Sequence, residues 1–174
     1  TKDDGFVTLT RWFLPDSVGM PRNTLRLFVL AWEALERAGI EDPGHHLYLV
    51  ESQAFSVILF GKTALTGEQI AALDRTALEK NFKPLYHPTL TPGATLAVAG
   101  IERTIPYVLN NPTNRKPVEN QFVKFATAAA TSADAKHAFL DDYPYDVTSP
   151  TDNRPFFFET SRFSHLFSRE AFFN

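Results

Sequence analysis

The chain has 174 residues, 44% of them hydrophobic and 21% charged, with 17 basic against 20 acidic side chains and a net charge of −3. That balance excludes wholesale disorder, allows one domain or at most two, and argues against a nucleic-acid partner. There is no cysteine, so disulfides, zinc–thiolate sites and thiol nucleophiles are excluded as well.

The first predicted element is a strand over Phe6 to Phe13, rich in β-branched and aromatic residues. Alternation puts Phe6, Thr8, Thr10 and Trp12 on one face and Val7, Leu9, Arg11 and Phe13 on the other. Prolines at 15 and 21 break it. Asn23 is then expected to cap a helix with Leu25, Phe28, Val29, Trp32 and Leu35 on one stripe and Arg26, Glu33 and Arg37 off it. Gly39 stops that helix, and Glu41-Asp42-Pro43-Gly44 turns the chain. His46 to Glu51 and Phe55 to Lys62 read as an antiparallel strand pair. His45 and His46, adjacent on a strand, would point to opposite faces and could not share a metal.

Thr66-Gly67-Glu68-Gln69 has the form of a capping box, and Ile70, Leu73, Ala77 and Leu78 continue it as a helix. Phe82 to Tyr86 reads as a short strand. Four prolines lie between His87 and Lys116, where one helix is expected near Leu96 to Arg103. Phe122, Phe125 and Ala129 predict a further helix, and Ala133 to Leu140 a short one after Thr131-Ser132. The order is β-α-β-β-α followed by a mostly helical tail. No apolar run approaches the length of a membrane span.

Several chemical motifs fail on spacing. Gly61-Lys62-Thr63 follows an apolar strand, yet a phosphate-binding loop needs another glycine five positions earlier, where Ser56 stands. His87, His137 and His165 lack partners at metal-ligand spacing. Asp141, Asp142, Asp146 and Asp152 gather acid around a proline-rich turn, but without the glycine and terminal glutamate of an EF-hand. Turn formation and helix capping explain them. No nucleophile elbow, zinc-protease helix or dinucleotide turn is present.

The most informative stretch is Asp146-Val147-Thr148-Ser149-Pro150-Thr151-Asp152-Asn153-Arg154-Pro155-Phe156-Phe157-Phe158. Three consecutive phenylalanines on an exposed loop would form a large apolar patch, so something is expected to pack on them. Seven of the 16 phenylalanines follow Pro155, as a tail packed on the core or a surface for a partner. Arg154, between Asn153 and Pro155, is expected to be drawn inward and to need a carboxylate or backbone carbonyls, making it a clamp for the tail. The alternative for Arg154 is an anion-binding residue at a cleft.

Together, Gly5 to Phe13, the helix to Gly39, the strand pair, the capped helix and the Asp146 to Phe158 segment resemble the C-terminal half of bacterial spermidine synthase-like, S-adenosylmethionine-dependent methyltransferase-fold proteins. The family tail reads close to D-V-S-P-P-T-D-D-R-P-F-F-F, and Asn153 departs from its second aspartate. The resemblance implies an α/β fold, the last part of a Rossmann-type sheet, with Phe6 to Phe13 as its fifth strand and the later pair ending in a strand inserted antiparallel beside it. Residues 1–86 would close the methyltransferase-like domain, and 87–174 would form a helical, Pro- and Phe-rich extension packed on it. S-adenosylmethionine or its decarboxylated form would bind the missing N-terminal half, which holds the family's catalytic aspartates. No catalytic, cofactor-binding or metal residue therefore carries over; Asp152, Asn153, Arg154 and Phe156 remain as a structural or cleft motif.

This chain, which begins at Thr1 without Met, reads as a fragment inactive by itself. Its parent would transfer a methyl group or, in polyamine chemistry, an aminopropyl group. The resemblance further implies a cytoplasmic domain whose parent can be membrane-attached. The expected partners are the missing half and, through an open Phe6–Phe13 strand edge, a second copy. A different class stays open: a non-enzymatic interaction module whose aromatic tail binds a protein or membrane.

Overall fold

The computed structural model describes residues 5–12, 21–52, 55–90, 95–98, 101–104, 108–110, 117–153 and 160, with backbone alone at 12, 95–98, 101–104, 108–110 and 117–119. The fold is mixed α/β, built on a four-stranded antiparallel sheet in the order β1-β3-β2-β4. Its strands are β1 (Phe6–Trp12), β2 (Leu47–Glu51), β3 (Phe55–Gly61) and β4 (Lys83–Tyr86). Helix α1 (Asn23–Arg37) lies between β1 and β2 in the chain, and α2 (Gly67–Glu79) between β3 and β4. The predicted order β-α-β-β-α is therefore observed, with the short strand at residues 83–86 added at the edge.

The register decides how the sheet is assembled. β3 pairs antiparallel with β1, Phe6 facing Gly61 and Trp12 facing Phe55. It also pairs antiparallel with β2, Leu47 facing Phe60 and Glu51 facing Ser56. β1 and β2 thus run parallel to one another with β3 inserted between them. This is the insertion expected for the last strand of the pair.

Alternation gives each helix its own face of the sheet. Leu9, Leu47, Leu49, Ile58 and Phe60 join Leu25, Phe28, Val29, Trp32 and Leu35 of α1 in the main core. Tyr48, Val50 and Leu59 on the opposite face join Leu65, Ile70 and Leu73 around α2. Phe28 is the centre of the main core, with ring centroids of Tyr86, Phe122 and Phe125 at 4.9, 5.6 and 6.0 Å, all edge-on. Edge-on packing suits the quadrupoles of the rings and adds to the benefit of burial.

Local signals set the helix ends. Thr66 accepts from the Gln69 backbone N–H, while the Gln69 side chain accepts from Thr66 N–H at 2.8 Å, completing the predicted capping box. Gly39 follows α1 at φ 82° and Asn81 follows α2 at φ 57°, the two residue types that adopt the left-handed region most easily. Gly44 serves a different need: a Cβ there would stand 2.9 Å from the Tyr86 hydroxyl and 3.3 Å from the Trp32 ring.

Several expectations are corrected. Asn23 is the first residue of α1 rather than its cap; the N-cap is Arg22, with no capping side-chain hydrogen bond. Arg26, off the apolar stripe, is nevertheless buried, at 3% exposure. His45 and His46 end a 3-10 turn, Pro43–His46, instead of lying in a strand. The helix expected near Leu96 to Arg103 is replaced by an antiparallel pair, β5 (Thr95–Val98) and β6 (Ile101–Thr104). Its β-branched residues favour extended backbone, and two residues between the paired Val98 and Ile101 suffice for a hairpin.

A second pair, β7 (Val108–Asn110) and β8 (Pro117–Glu119), follows. Among the described residues after His87, two strand pairs therefore precede the helices. Helices α3 (Gln121–Thr131) and α4 (Ala133–Asp142) occur as expected. Asn120 caps α3 through its side-chain oxygen and ties it to β4 by donating to Leu85 O at 2.7 Å. Phe122, Phe125, Leu140, Tyr143 and Val147 complete the core over α1.

Candidate functional site

The start of α1 lies at the end of the sheet where β1 and β2 terminate. Thr24 Oγ1, in the first turn of α1, is 3.2 Å from Ser56 Oγ, and Ser56 faces Arg11 across the β1–β3 ladder. The segment 143–148 wraps this helix start with polar contacts. Tyr143 donates to Pro21 O at 2.9 Å. The Arg22 guanidinium lies 3.8 Å from the centre of the Tyr145 ring, and its Nη2 donates to the Tyr145 hydroxyl.

The centre of this wrap is the pair of Arg26 and Asp146. Arg26 Nη2 donates to Asp146 O and stands 3.7 Å from Asp146 Oδ2, with both side chains at least nine-tenths buried. The other carboxylate oxygen accepts from Thr148 N–H at 3.1 Å and from Thr148 Oγ1 at 2.6 Å. Asp146 N–H donates to Thr160 O. A buried charge needs pairing of this kind, because burying it alone costs several kcal/mol. The result is a structural clamp that joins residues 120 positions apart, between α1 and the start of the Asp146 motif.

A second buried polar group forms on the other face. Tyr48 of β2 donates to Asp74 Oδ1 of α2 at 2.9 Å. The His87 ring stacks on Tyr48, 5.8 Å between centroids and 12° between planes. His87 Nε2 faces Asp74 Oδ2 at 3.8 Å, and Nδ1 is 3.1 Å from Thr89 Oγ1. Burial pushes the Tyr48 phenol up, with the Asp74 charge adding to it. Hydroxyl, imidazole and carboxylate are all present, but 3.8 Å is too long for a hydrogen bond. Thr89 is also only two residues from His87, the geometry of a local turn rather than of a nucleophile held by a base.

Beside α2, an open groove of about 270 Å³ is lined by Phe6, Leu59, Leu65, Gln69, Ala72, Leu73 and Thr76. It exists because α2 leaves the β1 side of this sheet face uncovered; Phe6 is 37% exposed. Gln69 Oε1 is held by the capping box, and Thr76 Oγ1 donates to Ala72 O. The groove is a mostly apolar surface.

Of the four motif residues, Asp152 and Asn153 are exposed, and Arg154 and Phe156 lie outside the described residues. Arg26 and Asp146 make a clamp at this segment's other end, and the one expected of Arg154 lies outside the described residues. Nothing in the spacing of α1 marks Arg26, which sits beside the apolar stripe and is buried by a segment distant in sequence. Asp74 did carry a signal: it lies between Ile70 and Leu78 at helical spacing, where an acid must find a buried partner. Among the described residues, no three His, Asp or Glu side chains are grouped to hold a metal, and no helix is long and apolar enough to cross a membrane. No family model, curated protein or solved structure matches the chain.

Proposed function

We propose that this chain is the C-terminal part of a spermidine synthase-like, S-adenosylmethionine-dependent transferase, with a Rossmann-type sheet of which β1 is the fifth strand. In this role it supplies the sheet edge, α1 and α2, and the wall on the acceptor side, while the cofactor binds a half that precedes it. The reading rests on one observation above all: β3 is inserted antiparallel between the mutually parallel β1 and β2. It is supported by the Asp146 segment, which is clamped against α1 at the end of the sheet where β1 and β2 terminate. In open α/β sheets, ligands bind outside the carboxyl ends of the parallel strands.

Methyl and aminopropyl transfer both move an alkyl group from a sulfonium to a nucleophile, so the protein contributes mainly by positioning the two. Residues that only fix the acceptor wall fit that demand. Calorimetry tests the reading on two samples: the 174-residue chain, and the chain joined to the cofactor half that the proposal requires upstream. No heat with S-adenosylmethionine from the first and saturable binding by the second are expected. Saturable binding by the chain alone, or none by either, overturns the proposal.

A further inference from the structure

Tyr48, Asp74 and His87 take no part in the role proposed above, yet they are among the most deeply buried polar groups described, at 2%, 5% and 4% exposure. They come from β2, from α2 and from the turn that leaves β4. We propose that Asp74 and His87 form a proton-operated latch, which couples the docking of α2 on the sheet to pH and loosens as the medium becomes acidic.

The geometry makes this linkage. Tyr48 fixes Asp74 Oδ1, so the second oxygen, Oδ2, faces His87. Thr89 occupies His87 Nδ1, and Nε2 has no hydrogen-bond partner among the described residues. Protonation would place a charged imidazole in a buried site, 3.8 Å from the carboxylate. A hydrogen bond needs the two atoms closer by roughly 0.8 Å. His87 and Asp74 belong to different elements, so a change in their attraction acts between α2 and the turn after β4.

Among the described residues, the surroundings offer no other counter-charge. Tyr48 faces the imidazole from β2 and Asp74 from α2, and the remaining ionisable residues of α2, Glu68, Arg75 and Glu79, are exposed. β5, which packs along α2, has the sequence Thr-Leu-Ala-Val and contains no ionisable side chain. The Glu51–Lys83 pair of β2 and β4 shares the opposite face with Leu49.

The direction follows from burial. Burial holds the His87 pKa below its ordinary 6.5, outweighing the attraction of Asp74. Burial also holds Asp74 above 3.8, against the His87 charge and the Tyr48 hydrogen bond. An imidazole whose pKa is lower when folded takes its proton later than the unfolded chain does. Its stabilisation is complete above the ordinary His value and is lost as pH falls toward the folded value. Asp74 acts with the opposite sign, favouring the fold at low pH, where its carboxyl is protonated, and losing that benefit as pH rises through its folded value.

Amide hydrogen exchange at pH 7.5 and 5.5, corrected for intrinsic rates, tests the latch in the natural chain and in His87→Phe, which keeps a ring against Tyr48. Protection within Gly67–Glu79 is expected to fall at pH 5.5 in the natural chain, more than in Asn23–Arg37, and by up to about ten-fold, the limit set about one unit below the ordinary His value. In His87→Phe this fall is expected to vanish. Equal losses in both proteins, or a uniform loss over both helices, overturn the proposal. If the variant does not fold, a proton NMR titration of the natural chain decides: a His87 midpoint below that of exposed His137 supports the latch, and one at or above it overturns it.

Discussion

Arg26 and Asp146 show how much one buried charge can hold. Arg26→Ala removes the cation, leaves the Asp146 carboxylate buried without it and opens a void beside α1. A loss of about 3–5 kcal/mol is expected in urea unfolding. Arg26→Met keeps much of the volume and still strands the carboxylate, so it is expected to fall in the same range; a loss under about 1 kcal/mol would show that the clamp is peripheral. Tyr48→Phe acts on the other face. It deprives Asp74 of its hydroxyl donor and is expected to cost about 1–3 kcal/mol, the penalty for an unsatisfied buried acceptor. The same substitution leaves ring stacking on His87 in place, so unchanged stability would mean that stacking and not the hydrogen bond fixes the cluster.

At the scale of elements, the ends of helices and the edges of the sheet carry the local information. Thr66 caps α2 with both halves of a capping box, and Thr66→Ala is expected to destabilise the protein by about 1 kcal/mol in thermal unfolding. β1 is an outer strand of the sheet, and its seven residues contain neither proline nor lysine, the residues that most often protect such edges. The isolated chain is therefore expected to self-associate through β1 as its concentration rises. Light scattering checks this, and a strictly monomeric species at high concentration would rule it out. The correction at residues 95–104 belongs to this scale as well. Its apolar residues suit a helix as well as a strand by hydrophobicity alone; pairing between β5 and β6 settles the matter, and pairing is not a property of a single segment.

For the whole molecule, the main core ties the sheet to α1, α3 and α4 through a chain of aromatic contacts. Phe125 touches Phe28, Trp32 and Phe139 at 6.0, 5.5 and 5.6 Å between ring centroids. Lys136 of α4 reaches Glu36 of α1 at 2.7 Å. Residues on both sides of His87 thus share one buried cluster. Phe125→Ala is expected to cost about 3–5 kcal/mol and to lower the unfolding midpoints of α1 and the sheet together. Loss of α3 alone, with the sheet still folded at its original midpoint, would show that the two parts fold separately.

The sequence by itself determined what depends on neighbours close along the chain. Helical spacing and the capping box marked α2, alternation sorted the faces of β1, and apolar runs joined by a few polar residues marked β2 and β3, because each signal is set by neighbours along the chain. The insertion of β3 between β1 and β2 entered only as an expectation carried by the family resemblance, since spacing within the hairpin does not say which strand it joins. Tertiary structure alone decided which polar residues are buried. Arg26 is enclosed by Asp146, 120 residues later, and Asp74 is joined to Tyr48 and His87 from other elements. Burial and pairing of this kind follow from the assembled surface that covers a residue, and no local periodicity encodes that surface.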